Sequence, residues 1–170
     1  MNYSGIKFDL IYFLSKLINC KSESPSGDEA IDFLVSHLQP MGFECHKLKF
    51  DNITTNLYAR YGIKAPNLCF AGHVDVVPAG NGWDTDPYKA SINNEVIYGR
   101  GAVDMKGAIA SFIGALADID LRKIDGSLSL LISGNEEGDA TYGTPMVLKW
   151  LEEKGEKIDD CIVGEPSNRT

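Results

Sequence analysis

Residues 127–139 read SLSLLISGNEEGD. The turn pair Asp125-Gly126 leads into seven residues with an apolar centre, the pattern of a strand buried on both faces. After Gly134 come two adjacent carboxylates, Glu136 and Glu137. The same arrangement recurs three more times. The run LCFAG at 68–72 leads into His73-Val74-Asp75, CIVG at 161–164 leads into Glu165-Pro166, and the glycines at 99 and 101 precede Asp104. In an open α/β sheet the carboxyl ends of parallel strands face one crevice. Four polar clusters at strand ends therefore have a common place to converge, although they are spread over almost a hundred residues.

Outward from these strands, the apolar periodicity supplies the covering helices. Ile6, Leu10, Phe13, Leu14 and Leu17 recur at helical intervals between residues 3 and 20. Ser26 and Glu29 form a capping-box pattern ahead of Ile31, Leu34, Val35 and Leu38, and Gly42 stops that second helix. Residues 43–50, 56–61 and 68–72 are strand candidates. Residues 76–94 contain two prolines and the glycines 80 and 82, which predicts a long loop. Asp104 is placed to cap a helix over 105–118, with Ile109, Phe112, Ile113 and Leu116 on one face. A further helix is expected over 144–154 and a last strand over 158–163. Alternating helices and apolar strands predict an α/β fold, a three-layer sandwich whose central sheet is mixed, largely parallel and flanked by helices.

Composition narrows the function. The chain has 170 residues, one domain by length, with 16 basic against 24 acidic side chains and a formal net charge of -8. That excess repels phosphate backbones, so nucleic acid is not expected as a partner. No apolar stretch approaches the roughly 20 residues of a membrane span, so neither is a membrane. Four cysteines without CxxC spacing and an N-terminus unlike a secretory signal make the cytoplasm the expected location. Small molecules and cations remain as partners.

The four clusters together supply one imidazole and five carboxylates: His73, Asp75, Asp104, Glu136, Glu137 and Glu165. Five carboxylates in one crevice repel one another unless they protonate or meet a cation. A mixed set of histidine and carboxylates suits zinc, cobalt or manganese better than calcium or magnesium. His73 and Asp75 lie two apart, on one side of an extended strand, so Asp75 can accept from the ring nitrogen not facing a metal. Glu136 and Glu137 point differently, so one can ligate while the other acts as general base. Each cluster also has a plainer reading: a hydrogen-bonded turn for His73-Val74-Asp75, a solvated pair for the glutamates, an N-cap for Asp104, and a strand exit for Glu165-Pro166. GRGAVD at 99–104 is not a phosphate-binding loop, since neither GxGxxG nor Gly-Lys-Ser/Thr is present.

GHVDVVPAG at 72–80, YGRGAVDMKGA at 98–108, NEEGDATYGT at 135–144 and VGEPSN at 163–168 resemble the co-catalytic zinc peptidases and deacylases of the aminoacylase/carboxypeptidase G2 type, the M20 family. The first two runs are shared with its acetylornithine deacetylases. EEGDATYGT followed by CIVGEPSN is more similar to the branch that hydrolyses N-succinyl-LL-2,6-diaminopimelate in lysine and cell-wall precursor synthesis. The resemblance implies two zinc or cobalt ions: His73 and Glu165 on one, Asp104 bridging both, Glu137 on the second. It further implies Glu136 as the general base, Asp75 behind His73, a cis peptide after Asp104, and a homodimer formed through a lid domain. Asn135 departs from the family's usual Asp.

The resemblance also implies a second metal-binding histidine late in the chain, a substrate-binding arginine and a lid histidine. The histidines here are His37, His46 and His73, and the first two are expected to be surface or packing residues. The chain is thus expected to be the N-terminal portion of a catalytic metallohydrolase domain, incomplete for catalysis by itself. A non-catalytic metal-binding module stands as the alternative.

Overall fold

The computed structural model describes residues 8–167. Helix α1 spans Leu10–Asn19 and starts at Asp9, whose carboxylate accepts from the Tyr12 N–H at 2.9 Å. The Ile6 end of the expected first helix lies outside the described residues. Helix α2 spans Asp28–Leu38. Strands β1 (Glu44–Leu48), β2 (Asn56–Tyr61) and β3 (Asn67–His73) follow, then a short hairpin of β4 (Ser91–Asn93) and β5 (Val96–Tyr98). Helix α3 (Lys106–Asp118), β6 (Ser127–Ser133), α4 (Thr144–Glu153) and β7 (Asp160–Val163) complete the described chain.

The five-stranded sheet has the order β1-β2-β6-β3-β7. β3 runs parallel to both β6 and β7, while β2 is antiparallel to β1 and β6. The parallel part is built of two crossovers in opposite directions: α3 carries the chain from β3 to β6 on one side, and α4 returns it past β3 to β7. Right-handed crossovers in opposite directions place their helices on opposite faces. The packing agrees. Leu128, Leu130 and Ile132 of β6 join the core under α1, α2 and α3, whereas Leu131 meets Val147 and Leu151 of α4 on the other face. Every residue of β6 is buried, its three serines included, as a strand covered on both faces requires.

Three local expectations differ from the structure. Gly27, not Ser26, occupies the N-cap of α2, and no side chain caps it. The first-turn Asp28 instead accepts from Thr55 and Lys49, which ties the helix to neighbouring segments. At α3 the cap position is Met105, again without a side-chain bond, so Asp104 is not an N-cap. Finally, the stretch after Pro87 is not wholly irregular. Asn94 and Glu95 both have positive φ and close the β4–β5 hairpin, the geometry that matches strand twist in a two-residue turn. Strands of three residues carry too little periodicity to be read from sequence.

Candidate metal centre

The parallel strands β6, β3 and β7 end side by side, and three of the four sequence clusters lie at those ends. His73 is the last residue of β3 and pairs in register with Ser133 of β6. Glu136 and Glu137 follow β6, and Glu165 follows β7 by two residues. Asp104 arrives from the turn before α3, across a cis peptide bond to Met105.

His73 is buried, and its Nε2 is the point of convergence. It lies 3.2 Å from Glu165 Oε1, 3.3 Å from Asp104 Oδ1 and 3.7 Å from Glu136 Oε2. Two sets of donor atoms lie within 4.8 Å of one another: His73 with Asp104 and Glu137, and His73 with Glu136 and Glu165. All of the expected site residues are therefore brought together. His37 and His46 are elsewhere. His37 packs among Phe13 and Phe33, with its Nδ1 2.9 Å from the Phe33 carbonyl, and His46 contacts Glu44 beside Trp150.

The other face of the imidazole differs in detail from expectation. His73 Nδ1 lies 2.8 Å from the main-chain carbonyl of Asp75 and 3.6 Å from its carboxylate. A carbonyl oxygen only accepts, so the shorter contact places a proton on Nδ1 and, in the neutral ring, leaves the Nε2 lone pair facing the carboxylates. The Asp75 carboxylate instead accepts from the N–H groups of Glu136, at 3.1 and 2.9 Å, and of Glu137, at 3.0 Å.

The electrostatics are those of crowded carboxylates. Burial raises the carboxyl of Glu137 above its usual range, and the Asp104, Glu136 and Asp75 charges add to it while His73 opposes. Glu165 is raised by burial and by Asp104 and Glu136, again against His73. For His73, burial works against the charged ring, but the Asp75 carbonyl and the Asp75, Glu165 and Glu136 carboxylates prevail and raise it. A divalent cation relieves this strain, and one imidazole nitrogen with carboxylate oxygens is a donor set suited to a transition metal. The residues present thus fit a metal centre.

Sequence reading missed what packs beneath the site. The Met105 thioether lies between β3 and β7 and accepts from the His73 N–H at 3.3 Å. A Cβ at Gly72 would come 2.4 Å from Met105 Cε, and one at Gly164 would come 2.6 Å from the same atom. Both glycines, each next to a candidate ligand, leave room for this side chain. Lys106 was also missed. It is buried, and its Nζ donates to the carbonyls of Leu17 and Cys20 at the end of α1. A lysine at the second position after Asp104 gives no sequence signal of burial. Asn135 now has a reason to be an amide: it donates to Asp139 at 2.9 Å while accepting from Ser24 Oγ at 3.4 Å. An ionised Asp at that position could not donate.

Comparison with known proteins gives the family and the fold. Residues 69–170 match the model of peptidase family M20/M25/M40, and the chain belongs to that family. The succinyl-diaminopimelate desuccinylase of Ehrlichia canis is 49% identical over 168 residues, covering 95% of this chain and 44% of that protein. Its counterpart from Rhodospirillum centenum is 49% identical over 168 residues, with 94% and 44% covered. The chain spans under half the length of these relatives. Among solved structures, the M20 family metallo-carboxypeptidase Sso-CP2 from Sulfolobus solfataricus superposes with a TM-score of 0.79 at 24% identity, covering 94% of this chain and 38% of that one. Human carnosine dipeptidase 1 gives 0.78 at 23% identity, with 92% and 38% covered. The shared feature is the α/β sandwich. No helix among the described residues is long and apolar enough to cross a membrane.

Proposed function

We propose that this chain is the N-terminal portion of the catalytic domain of a metal-dependent amidohydrolase. Its reaction is hydrolysis of N-succinyl-LL-2,6-diaminopimelate to succinate and LL-2,6-diaminopimelate. The observation that carries the chemistry is the convergence of Asp104, Glu136 and Glu165 on one imidazole nitrogen, His73 Nε2. What supports the substrate is the extent of identity to relatives bearing the desuccinylase name.

In this reading His73, Asp104 and Glu165 hold one zinc or cobalt ion, and Asp104 with Glu137 contributes to a second. When bound, the two cations polarise the amide carbonyl and lower the pKa of the attacking water. His73 presents Nε2 because the Asp75 carbonyl keeps the proton on Nδ1. Asp104, reaching the centre from the turn before α3, would be the carboxylate shared by the two ions. Glu136 takes a proton from the attacking water and delivers it to the departing amine nitrogen, so that one water is consumed per amide bond broken. The half-exposed Glu136 side chain keeps the reach that this transfer requires.

The remaining donors, including a late histidine, and the groups that recognise the succinyl carboxylate belong to the rest of the protein in this proposal. So do a lid and the homodimer it forms, and the location is cytoplasmic. The test is to express the whole reading frame that contains this chain and measure metal-dependent release of succinate from N-succinyl-LL-2,6-diaminopimelate, with N-acetylornithine in parallel. Succinate release that stops on chelation and in Glu136→Gln supports the proposal. Turnover of N-acetylornithine alone moves the chain to the deacetylase branch, and turnover of neither leaves a metal-binding module.

A further inference from the structure

We infer that the side chain of Asp75 acts as a positioning group for the Glu136-Glu137 turn, and that its main chain, not its carboxylate, orients His73. This rests on the reading of Glu136 as base and Glu137 as ligand given above, but its geometry is independent of the substrate.

Asp75 is completely buried just beyond β3. Its distance of 3.6 Å from His73 Nδ1 is too long for a hydrogen bond, whereas the carbonyl at 2.8 Å makes a good one. The carboxylate is engaged elsewhere. Both oxygens face the Glu136 N–H, at 3.1 and 2.9 Å, and one also takes the Glu137 N–H at 3.0 Å. Two consecutive amides directed at one anion form a concave site for negative charge. Bonds of this kind are among the stronger ones a protein makes, because the acceptor is ionised.

The need for them is clear from the secondary structure. The chain leaves β6 at Ser133, and α4 does not begin until Thr144, so no strand or helix ladder holds the backbone of Glu136 and Glu137. Two carboxylates there repel each other and their neighbours, and a free turn would swing them apart. Asp75 counters this by fixing the main chain, which leaves both glutamate side chains available. One residue thus serves two elements: its carbonyl fixes the ring at the end of β3, and its carboxylate fixes the turn after β6.

Asp75→Asn separates the two tasks. The shape and the main-chain carbonyl remain, while the amide keeps one acceptor and turns an NH₂ group towards the glutamate N–H donors. The measurement is heteronuclear NMR on the metal-free chain. The expected result is an upfield shift of the Glu136 and Glu137 amide protons, with their hydrogen exchange accelerated about tenfold or more, as loss of a charged hydrogen bond requires. The His73 ring nitrogens keep the signature of a proton on Nδ1. The reverse pattern, a changed His73 tautomer with unmoved Glu136 and Glu137 amides, overturns the inference. Should the variant not fold, the wild-type chain answers directly. Scalar coupling from the Glu136 and Glu137 nitrogens to the Asp75 carboxylate carbon supports the assignment, and its absence with both amides resolved overturns it. In the whole enzyme the variant is expected to lower kcat at unchanged KM. Failure of the desuccinylase reading removes only that kinetic result and leaves the NMR outcome standing.

Discussion

At Asp104 two roles compete for one carboxylate. The residue stands before a helix and has the right side chain for a cap, yet its oxygen faces His73 Nε2 and α3 begins uncapped. A cap is worth about 1 kcal/mol, so its absence from α3 is a modest loss beside the gain of a metal donor. Asp104→Ala is therefore expected to leave the melting temperature of the metal-free chain nearly unchanged, measured by circular dichroism, while removing tight metal binding. Gly72 gives the opposite case, a residue that touches no substrate but cannot change. A methyl group there meets the Met105 thioether behind His73, so Gly72→Ala is expected to cost about 1–3 kcal/mol in chemical unfolding, as overpacking does. A glycine before a histidine reads in sequence only as a turn, so this packing could not be foreseen. The convergence of His73, Glu136, Glu137 and Glu165 was legible, because each follows an apolar run whose end the sheet must place in the same crevice, whereas Asp104 arrives from the turn before α3 and was legible only through the family resemblance.

At the scale of elements, what was legible follows from how many residues carry the pattern. β6 and the apolar faces of α2, α3 and α4 are long enough for periodicity to speak, and the structure has them where the sequence puts them. The β4–β5 hairpin is not, and its turn lacks the Asn-Gly or Asp-Gly pair that announces such geometry. The cap of α2 was misplaced because Ser26 satisfies a local pattern, while Thr55 and Lys49, distant in sequence, engage Asp28 instead. β6 is the element on which both cores rest. Truncating Leu130, fully buried against the helices, is expected to destabilise the chain by about 2–5 kcal/mol in urea unfolding, with Leu148→Ala, on the exposed side of α4, as a near-neutral control. β7 is an outer strand with Ile162 and Val163 exposed, and uncovered apolar edges invite self-association. Val163→Lys is expected to reduce any concentration-dependent association seen by sedimentation.

Across the whole molecule the net charge of -8 has two parts, a dispersed surface excess and a cluster at the strand ends. Close to that cluster sits the buried ammonium of Lys106. Burial pushes it down to about 8, with Cys20 and Asp75 partly opposing. The folded metal-free chain thus gives up a proton near pH 8 that the unfolded chain keeps to about 10.5. Below the lower value the fold carries the full penalty of a buried charge. Through the window between them stability rises with pH, at most by about 1.4 kcal/mol per unit. The thiols of half-buried Cys45 and buried Cys69, pushed up to about 11, act in the opposite sense above pH 9, so the comparison must be made against Lys106→Met. The rise between pH 8 and 9 is expected in the wild type and not in that variant, measured by urea unfolding at fixed ionic strength.

The central claim is that the strand-end cluster is a metal centre, and calorimetric titration of zinc into the chain, with Asp104→Ala alongside, tests it most directly. The account predicts one tight site in the wild type, a weaker second, and neither in the variant. It also predicts that affinity falls as pH drops through the raised range of His73, because the protonated ring cannot ligate. Zinc binding no stronger in the wild type than in Asp104→Ala would contradict it.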